Sequence, residues 1–202
     1  MGHKLILASK SPRRYGFLKQ MGLDFDVIES RIDEEDFTKG ESPGEHVLRL
    51  SEAKALDVGG RYPDQWVVAA DTIVYVDRLI LGKPKNREEA LEMLGRLSGK
   101  EHRVLTGFSV RHLGKKKVDR QAVQTLVKMK PLSQVEMLWY VGTGEPFDKA
   151  GAYAVQGIGS FLIESIQGSY TNVVGLPLCE LIEMLLRLEA ITLSQQGFQV
   201  PD

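Results

Sequence analysis

Trp66-Val67-Val68-Ala69-Ala70-Asp71-Thr72-Ile73-Val74-Tyr75-Val76 is the stretch that decides the fold. Its β-branched and aromatic residues predict a central strand, and Asp77-Arg78 turns it into a partner strand ending at Leu81. On the N-terminal side, residues 4–8 form a short buried strand, after which Ser11-Pro12 supplies an N-cap and a first-turn proline for a helix to Gly22. Residues 24–30 predict a second short strand, followed by the acidic loop Asp33-Glu34-Glu35-Asp36. Ser42 and Glu45 make a capping box for a helix to about Val58, closed by Gly59-Gly60.

On the C-terminal side, Asn86 with Glu89 caps a helix to Leu97, and strands over residues 102–112 and 118–129 join as a hairpin at Gly114-Lys115. Ser133 with Glu136 opens a helix to Val141. Residues 142–159 are Gly-rich and irregular, and a loop of that length inside a compact domain is usually functional. A strand over 161–166 and a helix over 176–188 follow, and residues 191–202 read as a loose tail. Alternating helix and strand signals without a repeat or long linker indicate an α/β or α+β chain. At 202 residues it fits one large domain or two small lobes.

The charge balance, 26 basic against 27 acidic residues, asks for no nucleic-acid or membrane partner, so any phosphate binding must be local. No basic stripe with interleaved aromatics is present, which disfavours a nucleic-acid binder. The start of the chain has no signal-peptide pattern, Ile6 stands where myristoylation needs Ser or Thr, and no apolar run has the roughly 18 residues of a membrane span. A soluble cytoplasmic protein is expected. The single Cys179 cannot make an internal disulfide, and its Leu-rich context predicts a buried thiol.

Several residues sit where folding alone does not ask for them. Arg13 and Arg14 fall in the opening turn of the first helix, where the macrodipole disfavours cations. An anion docked on the free N–H groups and held by the arginines and the Ser9 and Ser11 hydroxyls would reverse that penalty; a solvated pair is the alternative. Lys54 lies near the centre of its helix's apolar stripe, so it either snorkels outward or neutralises a buried acid or a phosphate. Asp71 interrupts an apolar strand, where an unpaired carboxylate is costly, and its company with Lys54 and the acidic loop favours catalysis over a structural role. The acidic loop suits a hard cation such as Mg²⁺ or Mn²⁺, although such loops are mostly solvated. Lys83, in Gly82-Lys83-Pro84, can return to the same rim. Asp148 and Lys149 form a charged pair, and the amide of Gln156 can both donate to and accept from a pyrimidine edge. His3, His46, His102 and His112 lack zinc-site spacing, and no P-loop or serine-hydrolase signature occurs.

Taken in order, Leu-Ala-Ser-Lys-Ser-Pro-Arg-Arg at 7–14, Ala-Ala-Asp-Thr at 69–72, Gly-Lys-Pro at 82–84, Asp-Lys-Ala-Gly-Ala-Tyr at 148–153 and Ser-Tyr-Thr-Asn-Val-Val-Gly-Leu-Pro at 169–177 resemble the Maf family of nucleoside triphosphate pyrophosphatases, also called septum formation inhibitor proteins. The resemblance runs from about Lys4 to Leu188, which implies one domain over residues 1–190. It implies an α/β fold with a long twisted mixed sheet flanked by helices, two lobes and a central cleft, similar to inosine triphosphate pyrophosphatases, and often a homodimer. It further implies that Asp71 is the general base, that Glu34 and Asp71 hold a divalent metal, and that Lys54 and Lys83 serve metal and phosphates. Arg13 matches the phosphate clamp, and Thr72 and Gln156 match positions linked to base choice. Ala-Tyr-Ala-Val-Gln-Gly at 152–157 looks like the branch that prefers dTTP and UTP rather than 7-methyl-GTP, which implies hydrolysis of dTTP, UTP and modified pyrimidine triphosphates. A non-catalytic, nucleotide-responsive regulator of cell division is the competing expectation.

Overall fold

The computed structural model describes residues 4–33 and 40–201. In chain order its elements are β1 (Leu5–Leu7), α1 (Pro12–Gln20), β2 (Asp26–Val27), α2 (Pro43–Arg61), β3 (Trp66–Val76), β4 (Leu79–Leu81), α3 (Arg87–Leu97), β5 (Glu101–His112), β6 (Lys117–Met129) and α4 (Gln134–Gly142). Three 3₁₀ turns, Glu145–Asp148, Ala150–Ala152 and Gly157–Leu162, fill the Gly-rich segment. They lead to β7 (Ile163–Gln167), α5 (Tyr170–Val174), α6 (Leu178–Arg187), β8 (Thr192–Ser194) and β9 (Gly197–Gln199).

Among the described residues one mixed seven-stranded sheet runs in the order β2-β1-β3-β5-β6-β7, with β4 paired to β3. β1 pairs in parallel with both β2 and β3, while β3–β4 and β6–β7 are antiparallel. This is the mixed α/β class expected from the sequence. The chain forms two compact units: residues 1–71, 106–122 and 175–202, and residues 72–105 and 123–174. β3, β5 and β6 each contribute to both.

In the first unit all three residues of β1 are buried, as expected for a strand flanked by parallel neighbours. Ile6, Ala8, Val67 and Ala69 pack against Ala55 and Val58 of α2. The helix approaches β5 so closely that a Cβ on Gly107 would lie 2.4 Å from the carbonyl carbon and oxygen of Val47. Only glycine permits that contact. α2 opens with the expected reciprocal capping box of Ser42 and Glu45. It passes through Gly59-Gly60, where the sequence reading ends it, and stops at Arg61. The following Tyr62 precedes Pro63, which excludes helical backbone at Tyr62; its φ and ψ are −133° and 67°.

The second unit gathers Val74, Val76, Leu81, Met93, Leu94, Leu97, Val127, Met129, Tyr140 and Leu162 into one core. Asp77 and Arg78 both take positive φ, 50° and 66°, as a tight hairpin turn between β3 and β4 requires. α3 and α4 carry the caps read from the sequence, Asn86 and the Ser133/Glu136 box.

Three expectations are corrected. Residues 24–30 give a strand of only two residues, Asp26–Val27. Cys179 is exposed, because α6 turns Leu181, Met184 and Leu185 inward and position 179 lies off that face. The C-terminal stretch is not a loose tail throughout, since β8 and β9 pair as an antiparallel hairpin, with Gly197 at φ +112° beside the turn. No helix among the described residues is long and apolar enough to cross a membrane.

Candidate active site

The first unit holds the charged centre. Asp71 ends its segment of β3 and is 5% exposed, and Lys54, in the middle of α2, is 4% exposed. The Lys54 ammonium donates to Asp71 Oδ1 at 2.8 Å. Lys54 therefore neutralises a buried acid rather than snorkelling. Its stripe, Val47, Leu50, Ser51, Ala55 and Val58, is buried, so the helix packing that makes the core also drives the lysine inward. Removing either partner would strand a buried charge, whereas the pair survives because each compensates the other.

The β1–α1 junction lies on the same sheet beside β3. Ser11 caps α1 by accepting from the Arg14 backbone N–H, and the Ser11 N–H donates to Ser9 Oγ at 3.2 Å. The Arg14 guanidinium spans three segments. Its Nε donates to the Gly175 carbonyl at 2.8 Å, and its Nη1 donates to Ser9 Oγ at 3.1 Å and to the Ala70 carbonyl at 2.9 Å. These oxygens offset the unfavourable placement of a cation at a helix N-terminus. Arg14 is thereby tied to the residue preceding Asp71, and Arg13 is half-buried in the same first turn.

The second unit carries the remaining candidates. Thr72 follows Asp71 directly and is half-buried, and Lys83 is exposed at the turn after β4. That turn is pinned by the Gly151 N–H, which donates to the Gly82 carbonyl at 2.9 Å. Gly151 itself has φ +70°, and a Cβ there would meet Val74 side-chain atoms at 2.9 to 3.1 Å. The Lys149 ammonium turns inward to the Glu145 carbonyl at 2.7 Å and to Asp148. Gln156 is exposed at the head of the third 3₁₀ turn.

The candidates thus gather locally in each unit: Ser9, Ser11 and Arg14 with Ala70, Lys54 with Asp71, and Asp148 with Lys149. Glu34 lies outside the described residues. Among the described residues no cluster of three or more His, Cys, Asp or Glu is arranged to hold a metal. The donor chemistry nonetheless suits a hard cation, since Mg²⁺ keeps most of its waters and takes only one or two protein carboxylates.

Sequence reasoning missed Glu145. Its carboxylate accepts from the backbone N–H groups of Ile158 and Gly159 and from the Tyr140 hydroxyl. An acid opening a segment whose later glycines expose N–H groups is the available signal. Asn172, within the 169–177 motif, is fully buried and donates to the Val104 carbonyl and Thr125 Oγ1, a structural tie between β5, β6 and α5.

The profile of the family described as "Maf-like protein" matches residues 4–188. The dTTP/UTP pyrophosphatase of Syntrophus aciditrophicus is 50% identical over 191 residues, covering 95% of this chain and 93% of that protein. The dTTP/UTP pyrophosphatase of Syntrophotalea carbinolica is 49% identical, covering 94% and 86%. That of Desulfotalea psychrophila is 48% identical, covering 94% and 96%. The Ham1 protein of Staphylococcus aureus aligns with 93% of this chain and 100% of its own at 16% identity and a TM-score of 0.48. With the matched span reaching from β1 to the end of α6, the chain belongs to the family of Maf-like proteins.

Proposed function

We propose that this protein hydrolyses nucleoside triphosphates to nucleoside monophosphate and pyrophosphate, with dTTP, UTP and modified pyrimidine triphosphates as its substrates. The observation that carries the reading is the buried Lys54–Asp71 pair, a charge arrangement that costs stability and is retained where chemistry needs it. The shared name of relatives about half identical over nearly the whole chain supports the substrate class.

Water attacks the α-phosphorus, Asp71 accepts its proton, the bond from that phosphorus to the bridging oxygen breaks, and pyrophosphate departs with the electron pair. A positioned base of this kind contributes about 10²–10⁴-fold in rate. The Lys54 ammonium, beside Asp71, also places positive charge near the phosphates. Arg13 and Lys83 neutralise charge growing on the leaving group, Ser9 and Ser11 line the phosphate end, and Arg14 holds Ser9 in place. Asp71 and Glu34 would hold Mg²⁺ or Mn²⁺, which would supply Lewis-acid polarisation of the phosphoryl oxygens. Gln156, with Thr72, reads the base.

The test is pyrophosphate release from dTTP, UTP, CTP, ATP, GTP and 7-methyl-GTP with Mg²⁺, with Mn²⁺ and with chelator. Metal-dependent turnover strongest on dTTP and UTP is expected. Turnover unaffected by chelator overturns the metal, and a preference for 7-methyl-GTP overturns the branch.

A further inference from the structure

Residues 153–156, which end at Gln156, form no helix or strand, yet the backbone is held on both sides of that glutamine. The Ile158 N–H donates to Glu145 Oε1 at 3.0 Å, and the Gly159 N–H donates to Oε2 at 2.7 Å. The Tyr140 hydroxyl donates to Oε2 at 2.8 Å and accepts from the Ala154 N–H at 3.1 Å. One carboxylate and one phenol thus fix amides at two positions before Gln156 and at two and three positions after it.

The fit leaves no slack. Gly157 has φ +72°, and a Cβ there would lie 2.4 Å from Glu145 Oε1. A Cβ on Gly159 would lie 2.5 Å from the Tyr140 hydroxyl. Tyr140 is fully buried. Burial and the adjacent Glu145 carboxylate push its hydroxyl well above the usual phenol range, so it stays protonated and keeps donating. The Glu145 backbone is held as well, by the Lys149 ammonium on its carbonyl.

We propose that Glu145 and Tyr140 are positioning residues for base selection, holding the Gln156 backbone in the one orientation in which its amide distinguishes a thymine or uracil edge from a cytosine edge. The inference rests on the reading of Gln156 as the base-reading residue. The chemistry makes orientation decisive: thymine and uracil present an N3–H donor between carbonyl acceptors, whereas cytosine presents an N3 acceptor beside an amino donor. An amide whose backbone wanders can satisfy either edge by turning over, and a fixed one cannot. Three donors meet two carboxylate oxygens at Glu145, so replacing one oxygen with an NH₂ group necessarily orphans at least one of them.

The test compares kcat/KM for dTTP with that for CTP in wild type, Glu145→Gln, Tyr140→Phe and Gln156→Leu. A purely structural role lowers both values together, because the folded fraction cancels in their ratio. We expect the dTTP/CTP ratio to fall by about tenfold or more in Glu145→Gln, the scale of a lost hydrogen bond to a charged group, and by less in Tyr140→Phe. If Gln156→Leu lowers the ratio while Glu145→Gln and Tyr140→Phe keep the wild-type value, the inference is overturned and the reading of Gln156 stands. If Gln156→Leu leaves the ratio unchanged, the reading of Gln156 itself fails. Should Glu145→Gln not fold, the Tyr140→Phe ratio decides alone.

Discussion

Among the described residues of the unit built on β1 and α2, a buried polar contact joins opposite charges, Lys54 and Asp71 at 2.8 Å. Among the described residues of the unit built on α3 and α4, the deepest polar contacts instead join neutral groups, and nearby a carboxylate is tied to N–H and O–H donors. Examples are His102 Nε2 with the Tyr153 hydroxyl at 2.7 Å, Asn172 with Thr125 at 2.9 Å, and Tyr140 with Glu145 at 2.8 Å. Neutral networks, once satisfied, rigidify a core at little cost. A buried ion pair is seldom the most stable filling for the space it occupies. On the proposed function, the difference separates a place where charge is kept for chemistry from one where polar groups hold loops in position.

The comparison breaks most sharply at Lys54. Lys54→Met should lower stability by about 3–5 kcal/mol, because it strands the Asp71 charge, and should remove turnover with it. The double substitution Lys54→Met with Asp71→Leu should recover most of that stability while turnover stays absent. Urea midpoints and pyrophosphate release on the same samples check both. A double variant no more stable than the single one would mean the pair stabilises the fold.

A smaller effect separates the histidines. Burial brings the His102 imidazole down to about 4 from its ordinary 6.5. His112 is also lowered, by burial and by the neighbouring Lys115. Below its ordinary value each histidine binds a proton in the unfolded chain that it refuses in the folded one. The His102 contribution is therefore complete above pH 6.5 and is lost as pH falls toward 4, by at most about 1.4 kcal/mol per pH unit, and that of His112 declines in the same direction below pH 6.5. Most lowered carboxylates act further down; Glu136, for instance, is held at about 2 by Lys130 and Ser133. Urea midpoints between pH 7 and 5 should thus decline, and His102→Gln should flatten the decline.

The smallest effects should be alike in the two units. Ser42→Ala and Ser133→Ala each remove one half of a capping box and should each cost about 1 kcal/mol in a urea titration, with no change in nucleotide preference. A cap that alters preference would tie its helix to the site.

Much of this was legible in the chain. The β3 strand, its two-residue turn and the four side-chain caps, Ser11, Ser42, Asn86 and Ser133, follow from local rules. Lys54 and Asp71 were each visible as a charge in an apolar pattern. That they pair was not, because periodicity gives the face a residue occupies but not which helix turn meets which strand residue. Arg14 shows the same limit: its position announced a misplaced cation, but its carbonyl partners lie 56 and 161 residues away. Glu145 was hidden because its partners are backbone N–H groups, which every sequence contains. Cys179 was misjudged because neighbouring leucines say little about the face of a helix that one residue occupies.

The most direct test of the charged centre is pyrophosphate release from dTTP by Asp71→Asn, measured beside equilibrium binding of the same nucleotide. With Asp71 as base, turnover should fall by about 10²–10⁴-fold while binding stays near the wild-type value. Turnover near the wild-type rate in a variant that binds dTTP would contradict the account and move the base elsewhere.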